Sequence, residues 1–424
     1  MPAPRYLRAV LGLLAVCVVL TAAPAYAQDD EINMRQLARK GTTIQRWTNA
    51  PITGADKEVF DQYFDRYYFP EMLKTDPESL GNLAKMRTEL FDRYIWGSHP
   101  SVQQELTKKA YNWAKGVAAG RFPAPLKYNA VLTLGLLDEK YATKNDTAAV
   151  PLGAANKLLC VIIQKRDQFP TYLEVAALIG LERHTKHFAA LGANEKRATA
   201  MMLLEAVDQQ EFRPGTTRDV QYWIKLQAAS AIANLGVAGK DGVFVDAIAK
   251  LIADTKADLG ARSAAAMLLE KMNTEGVPPA VANSTVGAVK SLACTIGAYE
   301  REAAEKFVDL QRSRGRMSSS LEKSDRYRAD ENGWVYERKG LAAQLEQLKA
   351  GLTAVKPLAG QDATAITAIE TAAQSAITAA NDNSNIDLDV TDSVRAMADQ
   401  IDSVAGCKAS DAPVVEEEEL LGAN

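Results

Sequence analysis

A short pattern recurs through the middle of this 424-residue chain and restricts what the chain can fold into. Leu126-Lys127-x-x-Ala130-x-x-Thr133-Leu134-Gly135-x-Leu137 is matched by Ile224-Lys225-x-x-Ala228-x-x-Ala231-Ile232-Ala233-x-Leu235. Ala261-Arg262-x-x-Ala265-x-x-Leu268-Leu269 and Lys196-Arg197-x-x-Ala200-x-x-Leu203-Leu204 follow the same template, and weaker copies start at Leu173-Glu174 and Val289-Lys290. Steps of three and four residues put the apolar positions and the alanine on one face of a helix. A small residue at the centre of that face lets a second helix approach closely, while its larger neighbours fill the groove between them. The charged residue beside the first apolar position then keeps its head in water or reaches a carbonyl of a neighbouring turn. The central alanines at 130, 177, 228 and 265 recur after 47, 51 and 37 residues, which brackets the length of a helical hairpin.

This template resembles the second helix of HEAT-type repeats, in which an apolar–basic pair precedes such an alanine and an Ala-Leu-Gly run. The resemblance covers roughly residues 120–300. It departs from the family in its irregular spacing, in the acidic Glu174 and in Gly180 inside a helix. What it implies is an α-solenoid that acts as a scaffold, presenting an extended surface to a protein partner.

The rest of the chain is also helical in pattern, so the fold class expected is all-α. Alternating β-branched runs bounded by hairpin turns are nearly absent. Phe60, Tyr63, Phe64, Tyr67 and Tyr68 form one aromatic stripe ending at Pro70, of the kind that fills a core. Asp76-Pro77 reads as an N-cap followed by proline in the first turn. Leu80, Leu83, Ala84, Leu90, Phe91 and Tyr94 are placed on one face of the helix that follows, and Gly97 closes it. Between residues 300 and 340 charges of both signs are mixed, which reads as a solvated helix end and a connection, with a turn at Asp330–Gly333. Leu341, Leu345 and Leu348 mark one later helix, Ile366, Ile369, Ala373 and Ile377 a second, and Val394, Met397 and Ile401 a third. These form a C-terminal helical region that caps the repeats.

The N-terminus carries an address. Arg5 and Arg8 precede an apolar run, Val10–Ala23, of about 14 residues, followed by Pro24-Ala25-Tyr26-Ala27 and polar Gln28. A basic end, a short apolar segment and small residues are the parts of a secretory signal peptide, and cleavage is expected after Ala27. The run is too short to cross ~30 Å of hydrocarbon as a helix, and no later segment reaches 18 uncharged apolar residues. The mature chain is therefore read without a membrane span, exported to a periplasmic or extracellular location. Its plan is a signal peptide at 1–27, a helical region at 28–119, HEAT-like repeats at 120–300 and a helical region at 301–407. An acidic tail at 408–424, with Glu416–Glu419 at its centre, completes it. Cleavage leaves Cys160, Cys294 and Cys407. Cys160 and Cys294 sit in apolar runs and read as small buried hydrophobes, so the core is expected to come from packing rather than from a disulfide framework. The state of Cys407 is left open.

Little points to a reaction. The 49 basic and 53 acidic residues, a net charge of −4, provide no basic field for nucleic acid. No nucleophile elbow, zincin pair or phosphate-cradling glycine loop occurs. His99 precedes a proline at a turn. His184 and His187 stand three apart near a helix end with Glu182 close by, a spacing a surface metal would accept but one that the helix dipole also favours. Residues 381–392 place oxygen donors at the positions of a calcium loop, but Ile386 stands where glycine should turn the chain, and Asp392 where a bidentate glutamate belongs. That stretch reads as an Asx-rich connection whose aspartates start the last helix. No catalytic, cofactor or metal residue is assigned. The function expected is that of an exported scaffold; the alternative is a periplasmic α-helical hydrolase with paired carboxylates.

Overall fold

Local sequence signals start many of the helices. Asp76 accepts a hydrogen bond from the Ser79 amide ahead of Pro77, His99 from Ser101 ahead of Pro100, and Asp258 from Ala261. The computed structural model describes residues 34–143, 148–209, 211–312, 324–331 and 333–407, and these are overwhelmingly helical. None of their helices is long and apolar enough to cross a membrane. The proposed cleavage site, most of the basic stretch 312–320 and the acidic tail lie outside the described residues.

The first helices are α1 (Met34–Arg39), α2 (Gly41–Trp47), α3 (Gly54–Tyr63) and α4 (Pro77–Glu89). Helix α3 runs on through a π-helical turn, Phe64–Tyr68, and α4 through another, Leu90–Ile95. The aromatic stripe is core as expected: Phe60, Tyr63, Phe64 and Tyr68 are buried, with Tyr67 half-buried beside them. The rings of Phe64 and Tyr94 meet edge-on at 5.3 Å, and the hydroxyls of Tyr63 and Tyr94 lie 2.9 Å apart. Leu83, Leu90, Phe91 and Tyr94 are buried on α4 and its extension, whereas Ala84 is exposed. Ala84 lies one residue, about 100° of helix, away from the face that Leu83 centres.

Ten helices follow in an alternating arrangement. They are α5 (Pro100–Ala119), α6 (Ala124–Leu136), α7 (Gly153–Gln164), α8 (Thr171–Thr185) and α9 (Ala193–Asp208). After these come α10 (Arg218–Ala233), α11 (Val243–Ala253), α12 (Leu259–Leu268), α13 (Pro279–Arg312) and α14 (Arg338–Val355). Helix α5 packs on α6. Helices α6, α8, α10, α12 and α14 then lie side by side, each touching the next, and α7, α9, α11 and α13 do the same in a second layer. Each even-numbered helix from α8 to α14 also packs on the helix just before it in sequence. The four central alanines, 130, 177, 228 and 265, fall on four successive members of the first layer, and all are fully buried. The template copies with Ala200 and Ala293 lie in the second layer, on α9 and α13.

Small residues sit where the first layer is tightest. A Cβ on Gly135 would lie 2.5 Å from the Gly180 Cα, so α6 and α8 touch backbone to backbone there. Gly180, out of place in a helix read alone, is what that crossing requires. Gly351 of α14 is held as closely against Ala266 of α12. Hydrogen bonds tie the layer together as well. Glu182 of α8 accepts from Gln227 (2.6 Å) and Ser230 (3.2 Å) of α10, and Asn234 donates to its carbonyl.

The C-terminal region adds α15 (Ala363–Asn381) and α16 (Asp387–Ala405), which pack on each other, on α14 and on α13 respectively. Two elements here depart from the sequence reading. Tyr327–Asp330 (β3) and Gly333–Tyr336 (β4) form an antiparallel hairpin around the expected turn; a second small pair joins Asp138–Lys140 (β1) to Val150–Pro151 (β2). The β3–β4 hairpin is held from below. Arg326 donates to Glu300 of α13 at 2.5 Å and to Gln344 of α14, and Tyr336 Oη donates to the same Glu300 at 3.3 Å. Cys294 is the second departure. It is buried, but it is bonded to Cys407, 113 residues away. Gly406, at φ +69°, ends α16 and turns the chain so that Cys407 meets the middle of α13. The core is therefore not packing alone.

Candidate functional site

The histidines are the first place to look. His184, near the C-terminus of α8, points into the protein and is fully buried, so it is not part of a surface pair with the half-buried His187. Its Nδ1 lies 3.3 Å from the Asn156 Nδ2 of α7. Asn156 in turn accepts from Thr199 Oγ1 of α9 at 3.1 Å, and the free thiol of Cys160 lies 3.7 Å from that hydroxyl and 4.0 Å from Asn156 Oδ1. Cysteine, histidine and asparagine thus share one interior cluster, a set of residue types associated with acyl transfer.

The geometry does not support that chemistry. Asn156 stands between the sulfur and the imidazole, so no proton passes directly from one to the other. Burial pushes the Cys160 thiol up to about 11 and, with the nearby Arg183 charge, pushes the His184 imidazole down to about 3. At neutral pH both groups are uncharged, the thiol holds its proton, and the cluster is a polar seam joining α7, α8 and α9. Next to it Arg183 takes Asp138 in a two-pronged ion pair, 2.8 and 2.5 Å, and donates to the Gly135 carbonyl. Asp138 is buried, and desolvation, opposed by Arg183, holds its carboxyl above the ordinary range. Of this cluster the sequence reading names His184, as half of a surface pair, and Cys160, as a small buried hydrophobe; Asn156, Thr199 and the Arg183–Asp138 pair it does not single out.

The acidic stretch 381–392 uses its oxygens locally. Asp382 accepts from the amide and hydroxyl of Ser384, a tight Asx turn. Asp387 binds Arg338 and accepts from the Tyr336 amide at 3.0 Å, Asp389 accepts from the Ile386 amide at 3.1 Å, and Asp392 pairs with Arg395. Helix α16 begins at Asp387, where these carboxylates also meet the positive end of its dipole.

The template position that follows the first apolar residue is more informative. On α8 it is Glu174, on α10 Lys225 and on α12 Arg262, and all three are buried. Arg262 Nε donates to the Ile252 carbonyl at 2.8 Å and so satisfies the C-terminus of α11. Glu174 faces Arg213 at 3.6 Å, and Arg213 also donates to the Phe169 carbonyl; burial still pushes the Glu174 carboxyl up. Lys225 differs. Only 7% of it is exposed, and its Nζ stands 5.4 Å from the centre of the Tyr222 ring. Among the described residues it has no hydrogen-bond or ion-pair partner. Burial lowers its affinity for a proton, opposed by the charges of Asp254 and Asp208. It borders a pocket at the C-terminal ends of α9 and α11, with Phe212, Tyr222 and Leu251 among the walls.

Comparison with protein-family models, with curated proteins and with solved structures finds no match to this chain.

Proposed function

We propose that this chain is an exported helical-repeat scaffold, a HEAT-like solenoid from about residue 120 to 300 capped by helical regions at both ends, whose task is to hold a protein partner. The observation that carries the reading is the coincidence of pattern and place: one Ala-centred template recurs on α6, α8, α10 and α12, which lie side by side in one layer. Repeated hairpins that each contact only their neighbours build extended surfaces, and extended surfaces suit protein recognition. The charged template residues support it too, since Arg262 and Glu174 are spent on holding adjacent turns.

Export is supported by the three-part N-terminus and by the Cys294–Cys407 bond, because disulfides persist in oxidising compartments and are rare in reducing ones. The test is a bait experiment on the mature chain in envelope extract, with Ala228→Leu, which forces the α10 contact apart, as the control. A protein retained stoichiometrically by the parent and lost by the variant supports the scaffold. Recovery no different between the two overturns it.

A further inference from the structure

Helix α9 ends on charges of the wrong sign. Glu205 and Asp208 stand in its last turn, no basic residue accompanies them there, and Glu211 follows just beyond. The free carbonyls of a helix C-terminus repel carboxylates and favour lysine, arginine or histidine instead. Asp208 is engaged within the fold, but the exposed side chains of Glu205 and Glu211 have no partner among the described residues.

The same end of the helix exposes apolar surface. Met201 is 59% exposed, more than any other large apolar side chain of the described residues except Ile386, and Met202 and Leu204 are half-buried beside it. Met201, Glu205 and Asp208 fall on one face of α9, and with Met202, Leu204 and Glu211 they line an open groove of about 560 Å³. None of the described residues lining it is basic. Lys225, Lys250 and Lys256 belong to the neighbouring pocket, which shares only Asp208 with the groove.

The two chemistries suit one kind of occupant. Methionine side chains adapt to more than one apolar contour, and an apolar groove of this sort receives the apolar face of a helix. Cations flanking that face would meet Glu205 and Glu211 and cancel the repulsion at the end of α9. A wholly apolar partner would strip water from the two carboxylates without replacing it, and an acidic one would be repelled. We propose that this groove receives a basic amphipathic helix presented by the protein partner. That the helix belongs to a protein rests on the scaffold reading; the sign and shape of the groove do not.

Fluorescence anisotropy of a labelled peptide on the mature protein tests it, at ~0.15 M salt. The probe is a peptide of about 18 residues, five turns of helix, with leucine on one face and lysine on the other. Saturable one-to-one binding in the micromolar range is expected, and the same peptide with glutamate for lysine should not bind. Met201→Lys, at an exposed position, should weaken binding roughly tenfold or more and leave the melting temperature unchanged. Glu205→Gln combined with Glu211→Gln should weaken it roughly tenfold, flatten its salt dependence and, by relieving the helix end, not lower the melting temperature. Glu346→Gln, which removes an exposed carboxylate of α14, should bind as the parent does. Absence of saturable binding, equal binding of the glutamate peptide, parental affinity in either groove variant, or an equal loss in Glu346→Gln would each overturn the proposal. The bait experiment separates this outcome from that of the scaffold: a partner retained by Met201→Lys yet lost by Ala228→Leu overturns the groove alone. Peptide binding as expected with no protein retained by the parent overturns the scaffold alone.

Discussion

His184 shows what a buried neutral group does to stability. Its folded pKa, about 3, lies below the ordinary histidine value, so the unfolded chain binds the proton more readily than the folded one. The stabilisation is present above about pH 6.5 and is lost as pH falls from there towards 3. Linkage puts the loss between pH 7 and 5 at about 2 kcal/mol. Denaturant melts of the parent and of His184→Gln across that range check it, and the difference between them should shrink by that amount as the pH falls. A parent whose pH dependence matches the variant's would show that His184 is not buried as described. The glycines give a second test at this scale. Gly180→Ala would drive a Cβ to 2.9 Å from both the Gly135 Cα and a Leu159 methyl, and should cost about 1–3 kcal/mol. Gly116→Ala, in α5 with open space around its Cβ, should be neutral or stabilising by up to about 1 kcal/mol. Thermal melts of the two variants should therefore move in opposite directions.

Between elements, contacts are made by residues the template specifies and by some it does not. Ala228 is fully buried on α10 at the centre of the template, so Ala228→Leu should overpack by about 1–3 kcal/mol and broaden the melt. Arg326 shows the other kind of contact. Removing it with Arg326→Ala leaves the buried Glu300 carboxylate with Tyr336 alone, a loss of roughly 3–5 kcal/mol at neutral pH. Burial already pushes the Glu300 carboxyl up. A raised folded pKa stabilises at low pH and is lost as pH rises through it, so the variant should recover part of its stability on acidification. Hydrogen exchange at Tyr327 and Tyr336 should report the loosened hairpin. The helices and their small-residue faces were legible in the sequence because caps, periodicity and alanine centres are local signals. The β3–β4 hairpin was not, because its hold comes from Glu300 and Gln344, residues distant in sequence. The split between Arg262 and Lys225 was equally hidden: one template position takes its role from whichever turn lies opposite. Asn156, Cys160 and Thr199 carried no periodic signature beyond being polar or small within helices.

At the scale of the whole molecule, the bond from Cys294 to Cys407 closes the C-terminal helices over α13. A pair separated by 113 residues restricts the unfolded chain enough to contribute about 4–5 kcal/mol in the loop-entropy picture, so Cys294→Ala or added reductant should lower the melting temperature markedly. Sequence could not assign this pairing, since Cys160, Cys294 and Cys407 allow several partners and only the fold brings two together. The same bond bears on the proposed address, because disulfides persist in oxidising compartments and a cleaved N-terminus would accompany export. One measurement tests that joint claim directly: peptide mapping by mass spectrometry of protein recovered from the exported fraction, with thiols blocked at harvest. The account predicts an N-terminus at or near Gln28, a linked peptide pair containing Cys294 and Cys407, and Cys160 recovered as a blocked thiol only after unfolding. A chain that retains Met1, with Cys294 and Cys407 both recovered as free thiols, would contradict it.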